Sequence, residues 1–316
     1  MRSIVVIPTI RDLSFLDEWR EQFEDLDIFF IVCEDRDKIT LKIPNGFEGI
    51  VYSHKEIEKE LGKNFWIIPF GTSAIRSFGF WKAWQKKPDM IVSLDDDCYP
   101  DQADYLFQHS QLLNSYVTLD WVKTANMFTR GFPYSIREKA EVVINHGLWS
   151  FIPDLDAPTQ LLNPDVRFKP VYKSHIIPRG NYYAHCGMNF VFKTKVTPLM
   201  YFGLQGPSWP FDRMDDIWAG IIAKKIIDHL GYAVTSGKPS VEHRKQSNVF
   251  KNLKKETPGI IVNEYFWKNI DSIKLTSDNL IDCYMEIAEK MNIKDENQQY
   301  WSKLKEAMLI WAGLFS

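Results

Sequence analysis

Three consecutive aspartates, Asp95, Asp96 and Asp97, follow an apolar run in the stretch IVSLDDDCYPD. If the chain stays extended, Asp95 and Asp97 point to one face and Asp96 to the other. Two carboxylates on one face repel each other unless a cation lies between them or one of them is protonated. Hard cations such as Mg²⁺ and Mn²⁺ bind through one or two carboxylates together with substrate phosphate oxygens. The pattern therefore favours a metal and nucleotide site, with a solvated acidic turn as the alternative.

Asp215 and Asp216 form a second acidic group, at the head of a run with helical apolar spacing that ends at Gly231. One interpretation is helix capping, because acids stabilise the positive end of a helix. The other interpretation makes one of the two a general base or a partner for substrate hydroxyls. The spacing alone does not separate these interpretations.

His243 follows a short apolar segment and precedes a series of basic residues between 244 and 255. A single histidine is more often structural than functional. Together with the cations that follow it, however, His243 suits a third metal ligand beside a phosphate clamp.

The elements that would position these residues alternate between strand and helix. The predicted strands are 3–9, 27–35 and 89–94, and the predicted helices are 12–23 and 72–87. Because the strands are apolar throughout, they are typical of a buried parallel sheet. The three aspartates then lie at the carboxyl end of a strand, where open α/β sheets bind ligands. We expect residues 146–160 to form a long ordered loop over that cleft.

Composition indicates the class of protein. The chain has 316 residues, a net charge of −3 and 45% apolar residues, which suits a globular protein of one large domain, or one domain with an appendage. The near-neutral charge lacks the basic stripe of a nucleic-acid binder. The first apolar run is too short for a signal or transmembrane segment, and the four cysteines form no CxxC pair. We therefore expect a cytoplasmic protein with reduced thiols.

Several long motifs carry a family resemblance. They are RSFGF, LDDDC, RGFPYSIRE, HGLWSFIPDLDAPTQL, CGMNFVF, YFGLQG, RMDDIWAG and NLKKE, in an order that runs from VIPTIRDLSFL to about residue 260. In these motifs the chain resembles the reversibly glycosylated polypeptides, also known as UDP-arabinopyranose mutases. The resemblance implies a glycosyltransferase-A type α/β fold, in which a Rossmann-like mixed sheet is flanked by helices. It also implies Mn²⁺ or Mg²⁺ as cofactor and a UDP-sugar as substrate.

The chain divides into two parts on this basis. We expect residues 1–263 to form the catalytic domain. Residues 264–316 would be a helical C-terminal extension packed on it, because two stretches there have amphipathic helical spacing. Self-association or a contact with a membrane surface is the alternative role for this extension.

The resemblance also implies roles for two arginines of the motif RGFPYSIRE. Arg130 matches the family arginine that takes up sugar reversibly from UDP-sugars, and Arg137 matches the second arginine of the motif. Family members read Arg-Gly-Tyr-Pro-Phe-Ser here, so Phe132 and Tyr134 exchange two aromatic types. Arg130 is thus the expected glycosylation site, and both arginines are expected to be catalytic.

The other implied residues serve catalysis, the metal and the nucleotide. Asp215 and Asp216 match the family's acid pair and are expected to be catalytic. The expected metal ligands are Asp95, Asp97 and His243. The expected nucleotide contacts are Pro8, Thr9, Arg11, Asp35, Asp37, Arg76, Asp95, Asp96 and Lys254.

Three functions fit these residues. The first is a mutase that interconverts UDP-L-arabinopyranose and UDP-L-arabinofuranose, with reversible glycosylation of its own Arg130. The second is a self-glycosylating or acceptor-directed transferase that uses UDP-glucose, and the third is a non-catalytic partner subunit. The intact aspartates, motif arginines and acid pair favour the enzymes, and a homo-oligomer is left open.

Overall fold

The computed structural model describes residues 2–244 and 247–316 of the chain. Its strands are β1 Ser3–Thr9, β2 Ile28–Glu34, β3 Glu48–Tyr52, β4 Met90–Leu94, β5 Cys98–Pro100, β6 Tyr116–Val117, β7 Ala140–Phe151, β8 His175–Ile176, β9 Asn189–Lys193 and β10 Ala233–His243. Its helices are α1 Leu16–Phe23, α2 His54–Leu61, α3 Arg76–Gln85, α4 Tyr105–Leu113, α5 Ala157–Leu162, α6 Asp215–His229, α7 Val249–Ser272, α8 Leu280–Lys290 and α9 Gln298–Gly313. Short 3₁₀ turns cover Gly62–Ile67, Ser73–Ile75, Tyr134–Ile136 and Thr194–Leu199.

The described strands join in one mixed sheet in the order β3-β2-β1-β4-β9-β7-β10-β5, with β6 paired to β7 and β8 paired to β10. β1 to β4 are parallel, as are β7 and β10. β9 runs antiparallel to both β4 and β7, so the two parallel groups point the same way. Their last residues define the carboxyl edge of the sheet, and their first residues define the amino edge. The Rossmann-like mixed sheet flanked by helices that the sequence predicts is confirmed.

The apolar runs form strands because both faces of the sheet are covered. Along β1, Ile4 and Val6 belong to one hydrophobic core, whereas Val5 and Ile7 belong to a second core on the other face. All four side chains are fully buried. Burial of an aliphatic side chain of this size stabilises the fold by roughly 1.5–3 kcal/mol. A continuous apolar run is therefore the expected sequence of such a central strand.

The predicted elements before residue 95 are confirmed with small shifts at their ends. The predicted helix 12–23 begins at Leu16, because Asp12 Oδ1 accepts the Ser14 N–H over 2.9 Å and holds a turn there. The predicted helix 72–87 begins as a 3₁₀ turn and continues as α3.

The prediction that residues 146–160 form a loop is wrong for much of that range. Residues 146–151 form the end of β7, between β9 and β10, and α5 begins at Ala157. His146 is tolerated inside this buried strand because both ring nitrogens have partners. Nε2 accepts the Cys186 N–H over 3.1 Å, and Nδ1 therefore carries the proton and donates to Ser236 Oγ over 2.8 Å. Polar residues that are paired in this way can continue a buried strand.

The C-terminal helices share a core with the rest of the chain. The boundary that we expected between residues 263 and 264 falls inside α7, which is continuous across it. Phe266 of α7 stacks on Trp218 of α6, with 4.7 Å between ring centroids. Trp311 of α9 is fully buried, and its Nε1–H donates to the Pro198 carbonyl over 2.8 Å. The helices after residue 249 therefore belong to the same hydrophobic core as α3 and β9.

Two further features concern the expected class of protein. In the described part of the chain, no helix combines the length and the apolar character needed to cross a bilayer. All four cysteines are free and buried, as expected from their spacing.

Candidate functional site

The three aspartates lie at the carboxyl edge between β4 and β5, in a turn and not in an extended segment. The Cys98 N–H donates to the Asp95 carbonyl over 3.2 Å and closes this turn. The expected alternation, with Asp95 and Asp97 on one face of an extended chain, is therefore wrong. In the structure Asp95 pairs with Arg76, whereas Asp96 and Asp97 both pair with Arg11.

Asp95 is held by Arg76. The Arg76 side chain is 2% exposed, and its Nη2 donates to Asp95 Oδ1 over 2.7 Å. Nη1 donates to Ser93 Oγ over 2.8 Å and to the Gly187 carbonyl. Burial raises the pKa of Asp95, although the Arg76 charge opposes this shift. The expected contact of Arg76 with the nucleotide stays a prediction; in the structure protein groups enclose Arg76, and one of them is Asp95.

Asp96 and Asp97 share Arg11. Arg11 Nη1 donates to Asp97 Oδ2 over 2.9 Å and also to Asp96 Oδ1. Asp96 Oδ2 accepts from the Thr9 hydroxyl, whose oxygen accepts the Arg11 N–H over 2.9 Å. Burial raises the pKa of Asp96 to about 6, against the effects of the Thr9 hydrogen bond and the Arg11 charge. The end of β1, which includes the half-buried Pro8, thus meets the turn after β4 because the two strands are neighbours.

His243 ends β10 and lies beside Asp97. β10 pairs with β5 so that His243 is opposite Cys98, the residue after the aspartates. His243 Nδ1 donates its proton to the Ile152 carbonyl over 2.9 Å, so Nε2 is the ring nitrogen that is left to bind a metal. Nε2 lies 3.8 Å from Asp97 Oδ1. Two electron-rich atoms at this separation, one of them on a ring oriented by a second hydrogen bond, fit a shared divalent cation.

Asp97 and His243, called the metal-binding pair for the role that we propose for them below, suit a cation whose coordination another molecule completes. Among residues 2–244 and 247–316, no three His, Cys, Asp or Glu side chains are grouped so as to hold a metal ion by themselves. Mg²⁺ and Mn²⁺ are usually held by one or two carboxylates, with substrate phosphates and water as the other ligands. Asp97 and His243 are the residues that would hold such an ion, while Asp95 is engaged by Arg76.

Asp215 and Asp216, the acid pair, begin α6 and are both held inside the protein. Asp215 Oδ2 accepts from the Ser73 hydroxyl. Asp216 Oδ2 accepts the Gly187 N–H over 2.7 Å, and its Oδ1 accepts the Ile217 N–H over 2.9 Å. Burial raises the pKa of Asp215, and burial together with the Asp215 charge raises the pKa of Asp216 well above its usual value. A carboxyl group with a raised pKa can exchange a proton near neutral pH, so the pair can do more than cap a helix.

The short loop before β9 joins the acid pair to the aspartate turn. The Gly187 N–H donates to Asp216, and the Gly187 carbonyl accepts from Arg76. A Cβ at Gly187 would lie 3.1 Å from the guanidinium carbon of Arg76, so this close approach favours glycine. The sequence gives no signal for this role beyond the presence of the loop in the motif CGMNFVF.

Asp154 is a site residue that the sequence patterns did not reveal to us. It lies just after β7, and its Oδ2 accepts from the Cys186 thiol over 3.1 Å. Burial raises the pKa of this thiol well above its usual value, so Cys186 is a hydrogen-bond donor and not a thiolate. The Asp154 charge also contributes to the raised pKa of Asp216, which places the two carboxyl groups near each other. The signal that could have found Asp154 is the one that singled out Asp95, an acid just past the carboxyl end of a buried strand.

The remaining residues that we expected to contact the nucleotide lie at different distances from the aspartate turn. The Asp35 N–H donates to the carbonyl of the last residue of β1 over 2.9 Å, so Asp35 adjoins the aspartate turn. Its carboxylate accepts the Gly71 N–H over 2.8 Å and contacts His54 Nε2 at 2.7 Å. The Asp37 side chain is 91% exposed, and Lys254 is exposed near the start of α7.

The structure does not bring Arg130 and Arg137 to this cluster. Both lie between β6 and β7, and β6 pairs with the first residues of β7 at the amino edge. Arg137 Nη2 donates to the Phe132 carbonyl over 2.7 Å, and its guanidinium lies 3.6 Å from the centroid of the Tyr134 ring. Arg130 is exposed. Within one copy of the chain, the length of β7 separates these arginines from the carboxyl edge.

The fold and the site define an α/β protein with a charged site at the carboxyl edge of a mixed sheet. The chain belongs to the family described as reversibly glycosylated polypeptide, whose pattern matches residues 3–316. The family resemblance carried by the sequence motifs is therefore confirmed.

Curated relatives cover nearly the whole chain. It is 38% identical to a probable UDP-arabinopyranose mutase 1 of Pisum sativum, over 97% of this chain and 88% of the relative. It is also 38% identical to UDP-arabinopyranose mutase 1 of Oryza sativa subsp. japonica and of Arabidopsis thaliana, over 97% of this chain and 88% and 90% of those proteins. Among solved structures, mouse xyloside xylosyltransferase 1 in its apo form matches 61% of this chain and 67% of that chain with a TM-score of 0.26 and 9% identity, a likeness too weak to support a conclusion.

Proposed function

We propose that this protein is a UDP-sugar mutase that interconverts UDP-L-arabinopyranose and UDP-L-arabinofuranose, with Mn²⁺ or Mg²⁺ at the metal-binding pair. The observation that carries the proposal is the 38% identity, over 97% of this chain, to relatives that are named UDP-arabinopyranose mutases. The charges at the carboxyl edge support it, because they suit a metal-bound nucleoside diphosphate.

The diphosphate would bind where the cationic groups of the site gather. A divalent cation at Asp97 and His243 supplies charge neutralisation, which makes UDP a good leaving group. Arg11 lies beside the same carboxylates and its side chain is 38% exposed, so its guanidinium is available to phosphate oxygens. Arg76 is buried and compensates the charge of Asp95, which keeps that part of the site in a fixed geometry. These charged residues therefore hold UDP while the ring size of the sugar changes.

The acid pair suits the proton transfers that a change of ring size requires. After the anomeric carbon separates from UDP, the C4 oxygen bonds to that carbon and loses its proton, and the bond between the carbon and the pyranose ring oxygen breaks as the ring oxygen gains a proton. Burial raises the pKa of both carboxyl groups, so the pair suits donation of a proton by one member and acceptance by the other. The anomeric carbon then bonds again to a diphosphate oxygen of UDP. Asp154 adjoins the pair and suits a hydrogen bond to a sugar hydroxyl.

We further propose that Arg130 takes up sugar reversibly, as its match to the family arginine implies. A guanidinium is a poor nucleophile because its pKa lies above about 12, so the transfer needs a neighbouring base and a good leaving group. The acid pair and the diphosphate site are the groups of this chain that could supply them.

A panel of UDP-sugars tests the proposal. The purified protein is incubated with Mn²⁺ and each UDP-sugar, the nucleotide sugars are separated by chromatography, and the intact protein is weighed by mass spectrometry. Formation of UDP-arabinofuranose from UDP-arabinopyranose supports the mutase. Protein-bound or acceptor-bound glucose without any ring isomer would instead indicate a UDP-glucose transferase. With neither product from any donor, the chain would be a non-catalytic partner subunit.

We also propose that the protein acts in the cytoplasm. Its four cysteines are free and buried, as is usual in a reducing compartment. Fractionation of cells that express the tagged protein tests this location, and recovery in a membrane or secreted fraction would contradict it.

A further inference from the structure

Residues 118–139, the arginine loop, carry Arg130 and form a closed unit at the amino edge. The Glu138 N–H donates to Thr118 Oγ1 over 2.9 Å, and Lys123 Nζ lies 3.3 Å from Glu138 Oε1. Just outside the loop, β6 pairs with the first residues of β7. Both ends of the arginine loop are therefore fixed beside the start of β7.

The tip of the arginine loop packs against other residues of the loop, close to where the loop begins and ends. Phe132 is buried, and its ring centroid lies 4.9 Å from that of Phe128 and 5.5 Å from that of Trp121. The Phe132 N–H donates to the Thr129 carbonyl over 3.1 Å and closes a turn around Arg130. Because Arg130 is two residues from both phenylalanines, its Cα lies within about 7 Å of theirs. Arg130 therefore stays near the amino edge.

The length of β7 gives the distance between the arginine loop and the metal-binding pair. The strand has 12 residues, from Ala140 beside the loop to Phe151, which pairs with His243. At ~3.3 Å per residue, the strand spans about 36 Å.

The length of α6 gives an independent estimate of the distance between the arginine loop and the acid pair. Asp120 of the arginine loop lies 2.7 Å from Arg179 Nε, and Arg179 also donates to the Asp228 carbonyl at the end of α6. Asp215 begins the same 15-residue helix. At ~1.5 Å per residue, the helix separates Asp215 from Asp228 by about 20 Å. Group transfer requires reacting atoms about 3–3.5 Å apart, and an arginine side chain is too short to cover either distance.

We infer that Arg130 receives its sugar at the site of a second copy of the chain. The inference rests on the proposed function, from which it takes Arg130 as the sugar acceptor. A second copy is the partner because each copy carries the carboxyl-edge site that the transfer requires, and Arg130 is exposed in the arginine loop of each. Met127 and Tyr134, which are 80% and 82% exposed, flank the arginine with apolar surface for such a contact.

The transfer exchanges one bond for another. The bond between the anomeric carbon and the diphosphate oxygen breaks, and UDP leaves with the electron pair. A bond from the same carbon to a guanidinium nitrogen of Arg130 forms, and that nitrogen passes one proton to a diphosphate oxygen of the departing UDP. Attack by the diphosphate oxygen in the reverse direction restores the UDP-sugar and the free arginine.

A complementation experiment tests the inference. The donor chain is Arg130→Lys, which keeps the site but has no acceptor arginine. The acceptor chain is Asp97→Asn, which keeps Arg130 but lacks a carboxylate of the metal-binding pair, and it carries a tag that gives it a distinct mass. The two chains are co-expressed, so that mixed oligomers form, and are incubated with UDP-arabinopyranose and Mn²⁺. Intact mass and peptide fragmentation then locate the sugar.

We expect the tagged Asp97→Asn chain to gain sugar at Arg130 when the Arg130→Lys chain is present and to gain none alone. A matched acceptor with both substitutions, Asp97→Asn and Arg130→Lys, should stay unmodified in the same mixture. Wild-type protein that gains sugar while the mixed acceptor gains none would overturn the inference and assign the transfer to a single copy. Wild-type protein that gains no sugar at Arg130 would overturn the proposed self-glycosylation, and with it the inference.

Discussion

Replacing Arg76 with methionine removes the charge that faces Asp95 and keeps a long side chain in its place. Arg76 is 2% exposed, and its Nη2 lies 2.7 Å from Asp95 Oδ1. The same change deletes a hydrogen bond to the Gly187 carbonyl, but Ser93 Oγ still donates to that carbonyl over 2.6 Å. The dominant effect is therefore the uncompensated carboxylate. The Asp95 side chain is 27% exposed, so water offsets part of the loss, and we expect Arg76→Met to lower the free energy of unfolding by about 1–3 kcal/mol.

Urea denaturation followed by tryptophan fluorescence measures this loss. Asp95→Asn and the double variant complete a mutant cycle. Because the double variant leaves no lone buried charge, it should be more stable than the two single effects predict, by about 1–3 kcal/mol. Arg244→Gln is the control, since the Arg244 guanidinium contacts Glu18 at 2.7 Å in a partly exposed pair. Its loss should cost less than about 1 kcal/mol.

Two results would refute this reasoning. If Arg76→Met costs no more than Arg244→Gln, the charge of Arg76 does not compensate that of Asp95. If the two substitutions are additive in the cycle, Arg76 and Asp95 do not depend on each other, and Arg76 does not stabilise the aspartate turn through Asp95.

Three further predictions concern the metal-binding pair, the sugar and the pH dependence of stability. Asp97→Asn should weaken Mn²⁺-dependent binding of UDP at least about tenfold in calorimetry, because the amide lacks the charge that faces His243. The control Asp17→Asn, on the exposed face of α1, should leave this affinity unchanged. If Asp97→Asn also leaves the affinity unchanged, the three aspartates form an acidic turn and not a metal site. Asp154→Asn should weaken binding of the UDP-sugar and leave that of UDP unchanged, and equal losses for both ligands would place Asp154 outside the sugar site. Burial lowers the pKa of His109 to about 3 and that of His146 to about 4, so both are neutral in the folded chain and gain protons on unfolding once the pH is below about 6.5. Their contribution to stability is complete above that pH and is lost as the pH falls towards those values, by about 2 kcal/mol for each histidine at pH 5. Because Asp96, whose pKa is raised to about 6, gains stability over the same range, the test compares the wild type with His109→Gln. If the change in stability between pH 7 and pH 5 is the same in both, His109 does not contribute in this way.

The position of the aspartate turn could be predicted from sequence, but its geometry could not. An apolar run that ends in Asp95 already indicates a strand end, and this local signal survives in the structure. The turn at Asp96 and Asp97 depends on contacts with Thr9 and Arg11, some 86 residues away. Contacts of that range leave no local pattern, so the expected extended conformation was wrong.

Polar residues inside β7 explain why its second half looked like a loop. His146 follows Asn145, whose Nδ2 donates to the Lys238 carbonyl over 3.0 Å and whose Oδ1 accepts from Thr235 Oγ1 over 2.8 Å. These partners lie in β10, except that His146 Nε2 accepts from Cys186 in the loop before β9. Hydrophobic periodicity does not register such pairing, because the partners lie about 90 residues away in sequence.

The separation of Arg130 from the acid pair was hidden for a different reason. A motif match assigns residues to a family role but says nothing about which edge of the sheet they occupy. That placement depends on β6, a strand of only two residues whose pairing with the start of β7 fixes the loop. No sequence pattern predicted β6, so no placement of Arg130 could follow from the sequence.

The register shift in β10 restricts where related chains can gain or lose residues. Between Gly237 and Val241, β10 advances four positions while β7 advances two, from Gly147 to Trp149. His243 follows this irregularity directly. Loss of one residue there would move Arg244 into the position of His243 and set a cation against the aspartate turn. Insertions and deletions should therefore accumulate in the exposed turns of related chains and be absent from this segment.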